Sequence, residues 1–343
     1  MNEKSMLNEQ KLLKLLKGGS TLVEMKQELG YHDQQLAMKL QSLINRGYLI
    51  KRNYHNDKVI FTLVSDLKQF SQKDTLSFRF HGEELNCIFI SDTHIGSDRE
   101  QLKCIKNVYE YANEKAIPHI FHLGDLVEGY NFNFKSVNQY PFSSTEEMVQ
   151  HLIKHYPKID DVTTTVLLGN HDKYSIQYDS FDIRNMISQK RADIHFVGYK
   201  HALISVLDKN IVLQHPSGKK TNEDYHRECF NQYQNQKIDF IFRGHCHESK
   251  VFDFDGIHTI HVPAMIKGKK QVGAWQCTFF ASDNKRIERV VLQPLIIEPV
   301  VFPITEFVID CKEDFEEELE NTKERYSGLS QIERFNKRYQ KKK

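Results

Sequence analysis

Six cysteines are scattered through 343 residues with no C-x-x-C pair among them, a spacing that excludes a zinc knuckle and a disulfide framework. Cys87, Cys104, Cys229, Cys246, Cys277 and Cys311 therefore read as thiols of a reducing, cytoplasmic setting. Nowhere do about twenty uninterrupted apolar residues occur, and the opening MNEKSMLNEQKLLKLLKGG lacks the apolar core of a signal peptide, so no membrane association is expected. An excess of one charge is missing too. With 47 Lys and Arg against 46 Asp and Glu the formal net charge is +1, which excludes a strongly basic nucleic-acid coat while leaving room for local patches. No internal repeat is present. What remains is ordinary globular composition, 39% hydrophobic and 27% charged, at a length suited to about two domains. Seventeen histidines are a mild excess, and where they fall matters more than their number.

Residues 1–65 read as a unit of their own. Leucines at helical spacing in NEQKLLKLLK are broken by GGS; Thr21 and Glu24 make a capping box for LVEMKQEL, which Gly30 closes. Asp33 is expected to cap a third helix with Leu36, Leu40, Leu43 and Ile44 on one face, and the strands YLIKR and KVIFTL follow. Three helices and a two-stranded wing resemble the winged helix-turn-helix family. That resemblance implies that the third helix reads DNA through Gln34, Gln35, Lys39, Gln41, Asn45 and Arg46, a cluster without an acidic residue. A solvated face or a dimer-forming module, and with it a homodimer, is the alternative.

Residues 66–84 look like a polar linker, and a different pattern follows them. Apolar strands end one after another on a potential ligand: LNCIFIS on Asp92, HIFHLG on Asp125, TTVLLG on Asn170, NIVLQ on His215 and IDFIFRG on His245. Strand ends that each deliver such a side chain are what an α/β sheet offers as a site. In Gly244-His245-Cys246-His247 the two imidazoles, one residue apart, point the same way on an extended segment and could share one metal. Later segments, from GIHTIHVPAM to RIERVVLQPLII, carry strand signal and suggest a second sheet packed on the first. Residues 301–343 turn highly charged and read as a helical extension.

The motifs Asp92-Thr93-His94, Gly124-Asp125-Leu126-Val127-Glu128, Gly169-Asn170-His171-Asp172, His215 and Gly244-His245-Cys246-His247 resemble, in order and content, the signature of the calcineurin-like metallophosphoesterase superfamily. The resemblance covers about residues 85–265 and implies a two-sheet β-sandwich flanked by helices, placed here over residues 85–300. It further implies two divalent ions, manganese first, with zinc, iron or nickel as alternatives. Asp92, His94 and His247 would complete one site and Asn170, His215 and His245 the other, with Asp125 bridging. Two ions about 3.5–4 Å apart can hold a hydroxide between them and clamp a phosphorus centre. His171 takes the place of the family's catalytic acid, with Asp172 beside it to orient the ring. Glu128, where the family often has aspartate, is expected behind the ligands rather than on a metal.

Within that superfamily, SDTHIGS followed by HLGDLVEGY is most similar to the nuclease branch, which includes the small subunit of archaeal D-family DNA polymerase. The expectation is thus a DNA nuclease, with Tyr130, Phe132 and Phe134 placed to stack on bases of a splayed strand. The alternatives are a phosphomonoesterase or small-molecule phosphodiesterase, including one for cyclic nucleotides, and a non-catalytic DNA-binding regulator. An intact ligand set argues against the last.

Overall fold

A computed structural model of the chain describes residues 3–45, 48–55, 58–64, 75–78, 84–129, 141–142, 144–179, 181–218, 220–234, 236–269, 271–282, 286–298 and 306–311. Leucine spacing builds the first helix: Leu12 and Leu16 lie one turn apart on α1 (Glu3–Gly18) and are buried. After β1 (Ser20–Thr21), α2 (Leu22–Leu29) opens on the expected capping box, Glu24 N donating to Thr21 Oγ1 at 3.2 Å and Thr21 N to Glu24 Oε2 at 2.7 Å. His32, not Asp33, closes the start of α3 (Asp33–Asn45): Gln35 N donates to His32 Nδ1 at 3.4 Å, while Asp33 pairs with Lys26 at 2.6 Å. The hairpin of β2 (Leu49–His55) and β3 (Lys58–Val64) takes β1 as a third antiparallel strand. Leu12, Leu16, Met25, Leu36, Leu40 and Phe61 meet in one core beneath it.

The larger body runs β4 (Thr75–Phe78), β5 (Glu84–Ile90), α4 (Leu102–Glu114), β6 (His119–Leu123), α5 (Thr145–His155), β7 (Thr163–Leu168), α6 (Asn170–Asp179), α7 (Ile183–Lys190), β8 (Ile194–Tyr199), β9 (His201–Val206) and β10 (Lys209–Gln214). It continues through α8 (Asn222–Gln232), β11 (Phe240–Arg243), β12 (Lys250–Phe254), β13 (Ile257–His261), β14 (Val272–Ala281), β15 (Ile287–Glu298) and β16 (Phe307–Asp310). β5, β6, β7 and β8 are parallel neighbours, with β14, β15 and β16 added antiparallel beside β5. A corner follows, where β8 meets β9 only through Tyr199 and His201; beyond it β9, β10, β11, β13 and β12 make the other half. Phe89 of β5 stacks on Phe242 of β11 at 3.7 Å between ring centroids, so the two halves face each other as layers.

Strand periodicity explains the layering. On β5, Leu85, Cys87 and Phe89 enter the core between the layers, while Ile88 and Ile90 enter a second core shared with Ile105, Val108 and Leu152 of α4 and α5. On the far side, Val212 and Ile241 pack under Cys229 and Phe230 of α8. The result is the α/β sandwich expected from the motifs.

Two expected boundaries need correction. Thr75–Phe78 lies in the stretch expected to be a linker, yet it forms β4 and pairs in parallel with β9. Phe307–Asp310, expected in a charged helical extension, is the edge strand β16, held on β15 by pairings from Arg289↔Asp310 to Leu292↔Phe307. Residues 312–343 lie outside the described residues. All six cysteines are free thiols, and among the described residues no helix is long and apolar enough to cross a membrane.

Buried neutral histidines make acid a liability. Burial, helped by the charge of Arg243, pushes His226 down to about 3. The unfolded chain protonates this ring near pH 6.5. Between those values the unfolded state binds a proton that the folded state refuses, so stability falls as pH falls. Against His226→Gln, the wild type is expected to lose melting temperature between pH 7 and pH 5, measured in chelator to keep metal release out of the comparison. A gap between the two proteins that is the same at both pH values would contradict this.

Candidate metal centre

Parallel pairing brings the carboxyl ends of β5, β6 and β7 to one rim, and the parallel pair β10 and β11 brings two more. Each strand stops where its next residues leave the ladder. Asp92, His94, Asp125, His245 and His247 all adopt left-handed backbone, with φ of 52°, 42°, 55°, 69° and 54°. That conformation costs an L-residue about 1–2 kcal/mol, and here half of the described non-glycine cases fall on expected ligands. Main-chain bonds hold the bends: Asp92 N donates to Gly124 O at 3.0 Å, His94 N to Asp125 O at 3.0 Å and Ile95 N to Leu126 O at 2.9 Å. Gly124 and Gly169 are needed for closeness, since a Cβ on the first would overlap the His215 ring and on the second the Asp125 carboxylate.

Two groups of side chains result, each able to hold an ion: Asp92 with His94 and His247, and Asp125 with His215 and His245. Asp125 Oδ2 stands between them, 3.1 Å from His215 Nε2 and 3.8 Å from His94 Nε2, the position expected of a shared carboxylate. His94 donates its Nδ1–H to Glu128 Oε2 at 2.7 Å, and His215 donates its own to the Leu123 carbonyl, which leaves Nε2 of each ring as a lone-pair donor. Both Nε2 atoms are buried without a hydrogen-bond partner, as is Asn170 Oδ1 on the same rim. Buried acceptors are ordinarily satisfied. Three orphaned lone pairs beside two buried carboxylates are the signature of a divalent-cation site, and imidazole, amide and carboxylate donors suit a first-row transition metal.

Charge is crowded here. Although burial opposes ionisation, the imidazoles of His215 and His247 hold Asp92 well below its ordinary range, and His215 and His171 do the same for Asp125. Burial likewise opposes charge on His94 and His215, yet the nearby carboxylates of Asp92 and Glu128 raise His94 to about 10, and those of Asp125 and Asp92 raise His215 to about 9.

His171 leans edge-on against His94, 4.6 Å between centroids, with its Nδ1 bonded to the Glu128 carbonyl at 2.7 Å and its backbone N–H given to Asp125 Oδ1 at 2.8 Å. Asp172, expected to orient that ring, does not touch it. Its buried carboxylate accepts from Val127 N at 2.9 Å and Gly169 N at 2.8 Å, and so ties two ligand loops together; burial and the charge of Asp125 raise it to about 7. On a helix's first turn the side chain at 172 points back over the preceding loop, a direction that adjacency in sequence does not reveal. The residue that orients His171 is Glu128, through its main-chain oxygen.

Several contributors went unread in the sequence. Tyr174, one turn after Asn170, accepts from Asn170 Nδ2 at 3.4 Å, which turns Oδ1 of the amide the other way. Arg243 is fully buried behind the rim and donates to Gln214 Oε1 at 2.6 Å, Asn222 Oδ1 at 3.0 Å and His261 Nε2 at 3.2 Å, locking together β10, α8 and β13. A charged residue closing an apolar strand run was the available signal. Cys246, Glu248 and His261 also cluster, but both ring nitrogens of His261 are engaged, Nε2 by Arg243 and Nδ1 by Glu248 at 2.7 Å, so that group is satisfied without an ion. Burial pushes the Cys246 thiol up to about 11.

Away from the rim, Gln34 and Gln35 are exposed on α3 and Lys39 is half-buried. The side chains of Gln41 and Asn45, with Arg46, Tyr130, Phe132 and Phe134, lie outside the described residues.

A search of curated protein sequences finds no match. Among solved structures the chain is similar to vacuolar protein sorting 29 of Cryptosporidium parvum, with 13% identity, TM-score 0.41, and coverage of 67% of this chain and 100% of that one. It is also similar to a novel archaeal phosphodiesterase, with 11% identity, TM-score 0.40, and coverage of 62% and 100%. For the phosphoesterase Yfce of E. coli the values are 16%, 0.33, and 59% and 96%. Residues 85–269 match the calcineurin-like phosphoesterase superfamily domain, the span that carries every motif converging on the rim. With more than half of its length in that match, the chain belongs to the calcineurin-like phosphoesterase superfamily.

Proposed function

We propose that this phosphoesterase is a DNA nuclease that works with two divalent ions, manganese first among them, as a 3′ exonuclease or single-strand endonuclease. The observation that carries the reading is how the N-terminal unit sits. Its strand β2 lies against α6, and Tyr174 of α6 packs on its core. α6 begins with Asn170 and His171, so the unit packs on the element that opens with two site residues, which supports the reading. Taken as a winged helix, the unit offers α3 to a DNA groove, with Gln34 and Gln35 outward.

Bound at these positions, divalent ions would supply Lewis-acid charge that activates water and offsets the negative oxygens of the phosphorus centre. The residues divide the remaining work. Asp92 and Asp125 bring the negative charge that draws cations to the rim, and His94, Asn170, His215, His245 and His247 would supply donors that are neutral once an ion takes the place of the ring protons. His171, held at Nδ1 by Glu128, keeps Nε2 for the leaving oxygen, where its protonated form can release a proton.

The test is cleavage of end-labelled single- and double-stranded DNA by the full chain with manganese, run beside a chromogenic phosphomonoester. Shortened DNA products that disappear with chelator are expected. DNA left intact while the monoester is hydrolysed would overturn the nuclease reading in favour of a small-molecule phosphoesterase.

A further inference from the structure

Beside the metal-capable groups, two lysines converge on one aromatic ring. Lys173, on the first turn of α6, and Lys200, at the corner between β8 and β9, hold their Nζ atoms 4.9 Å and 5.6 Å from the centroid of Tyr199. Both are half-buried. Among the described residues neither is paired with a carboxylate, whereas Lys26, Lys209, Lys220 and Lys237 each are. Burial and the neighbouring charge of Lys200 push the Lys173 ammonium down, so the pair is disfavoured as it stands. Cation–π attraction to one ring, about 0.5–1 kcal/mol where exposed, only partly offsets this.

The backbone explains why the pair is held in place. Lys200 sits at φ 67°, its N–H donating to Leu168 O at 3.0 Å and its carbonyl accepting from His215 N at 2.7 Å. It is thus pinned between the ends of β7 and β10, next to Asn170 on one side and to His215 itself on the other. Burial first, and then the negative charge of Asp125, hold the Tyr199 hydroxyl pKa up. With no ion pair on either lysine among the described residues and only the more distant negative charge of Glu228 acting on Lys200, the two cations beside the site can take up an anion that is not part of the chain.

We propose that Lys173 and Lys200, spaced by Tyr199, form a subsite for a second phosphate of the substrate, adjacent to the one that meets the metal groups. The substrate class is then a strand of linked phosphodiesters, not a lone monoester. This deepens the nuclease reading and rests on it.

The test uses the full chain with manganese and three proteins: wild type, Lys173→Gln with Lys200→Gln, and Lys173→Arg with Lys200→Arg, all checked by thermal melting. Binding of fluorescein-labelled, phosphorothioate-linked hexathymidylate is followed by anisotropy across salt concentrations. The glutamine variant is expected to bind about tenfold or more weakly and to lose about 1.4 from the log–log salt slope, two single-strand phosphate contacts' worth. The arginine variant should restore both. The ratio of kcat/KM for ordinary hexathymidylate over bis(p-nitrophenyl) phosphate should fall in parallel. Unchanged hexamer affinity in the glutamine variant overturns the subsite, and so does a loss of equal size on both substrates. If wild type hydrolyses neither compound with manganese or zinc while binding still depends on the lysines, the hydrolase reading fails and the subsite stands.

Discussion

Asp125→Asn is expected to lower phosphoester turnover on the order of 10³-fold and to reduce the divalent metal that copurifies with the chain. Geometry says which atom is lost. His171 N–H needs an acceptor at Oδ1, 2.8 Å away, so the asparagine oxygen stays there and the amide nitrogen replaces Oδ2. That nitrogen faces His215 Nε2 and His94 Nε2, formerly 3.1 Å and 3.8 Å from a carboxylate oxygen. One substitution thus removes negative charge from both groups and puts N–H bonds where lone pairs stood. A loss on the order of 10³-fold corresponds to about 4 kcal/mol of transition-state stabilisation, at 1.36 kcal/mol for each decade in rate. Metal content by plasma mass spectrometry and turnover of a chromogenic ester read the two consequences separately. A variant that keeps its metal and stays within tenfold of wild type would show that Asp125 is not the shared ligand.

Strand ends were legible because two local signals coincide there: an apolar run that must be buried, and then Asp, Asn or His, preceded by glycine at Asp125, Asn170 and His245. Those types tolerate left-handed backbone better than most, and Asp92, Asp125, His245 and His247 use it to leave the ladder. Directions and long-range pairings were not legible. Asp172 follows His171 in sequence but turns to Val127 and Gly169, because a residue on a first helical turn covers the loop before it. Four residues, TLSF, are too few to stand out as a strand until β9 offers them partners 128 positions away, from Thr75↔Leu203 to Phe78↔Val206. The same is true of FVID beside β15. Lys200 could not be found by motif at all. Its importance comes from a corner where β8, β9 and the start of β10's exit loop meet, a property of the fold rather than of any short stretch.

His171→Ala is expected to separate proton donation from metal binding. The substitution keeps the backbone N–H that donates to Asp125 Oδ1, so the metal groups retain their arrangement and metal content should match wild type. What disappears is an imidazole fixed at Nδ1 by the Glu128 carbonyl and set 4.6 Å from the His94 ring. A positioned general acid contributes about 10²–10⁴-fold, but only where the leaving oxygen needs a proton. On an alkyl phosphoester, whose alkoxide is a poor leaving group, turnover should fall by that order. On a p-nitrophenyl ester, whose phenolate is stable at neutral pH, the loss should be under about tenfold. Equal losses on both esters would assign the proton to another group and leave His171 as a packing partner of His94.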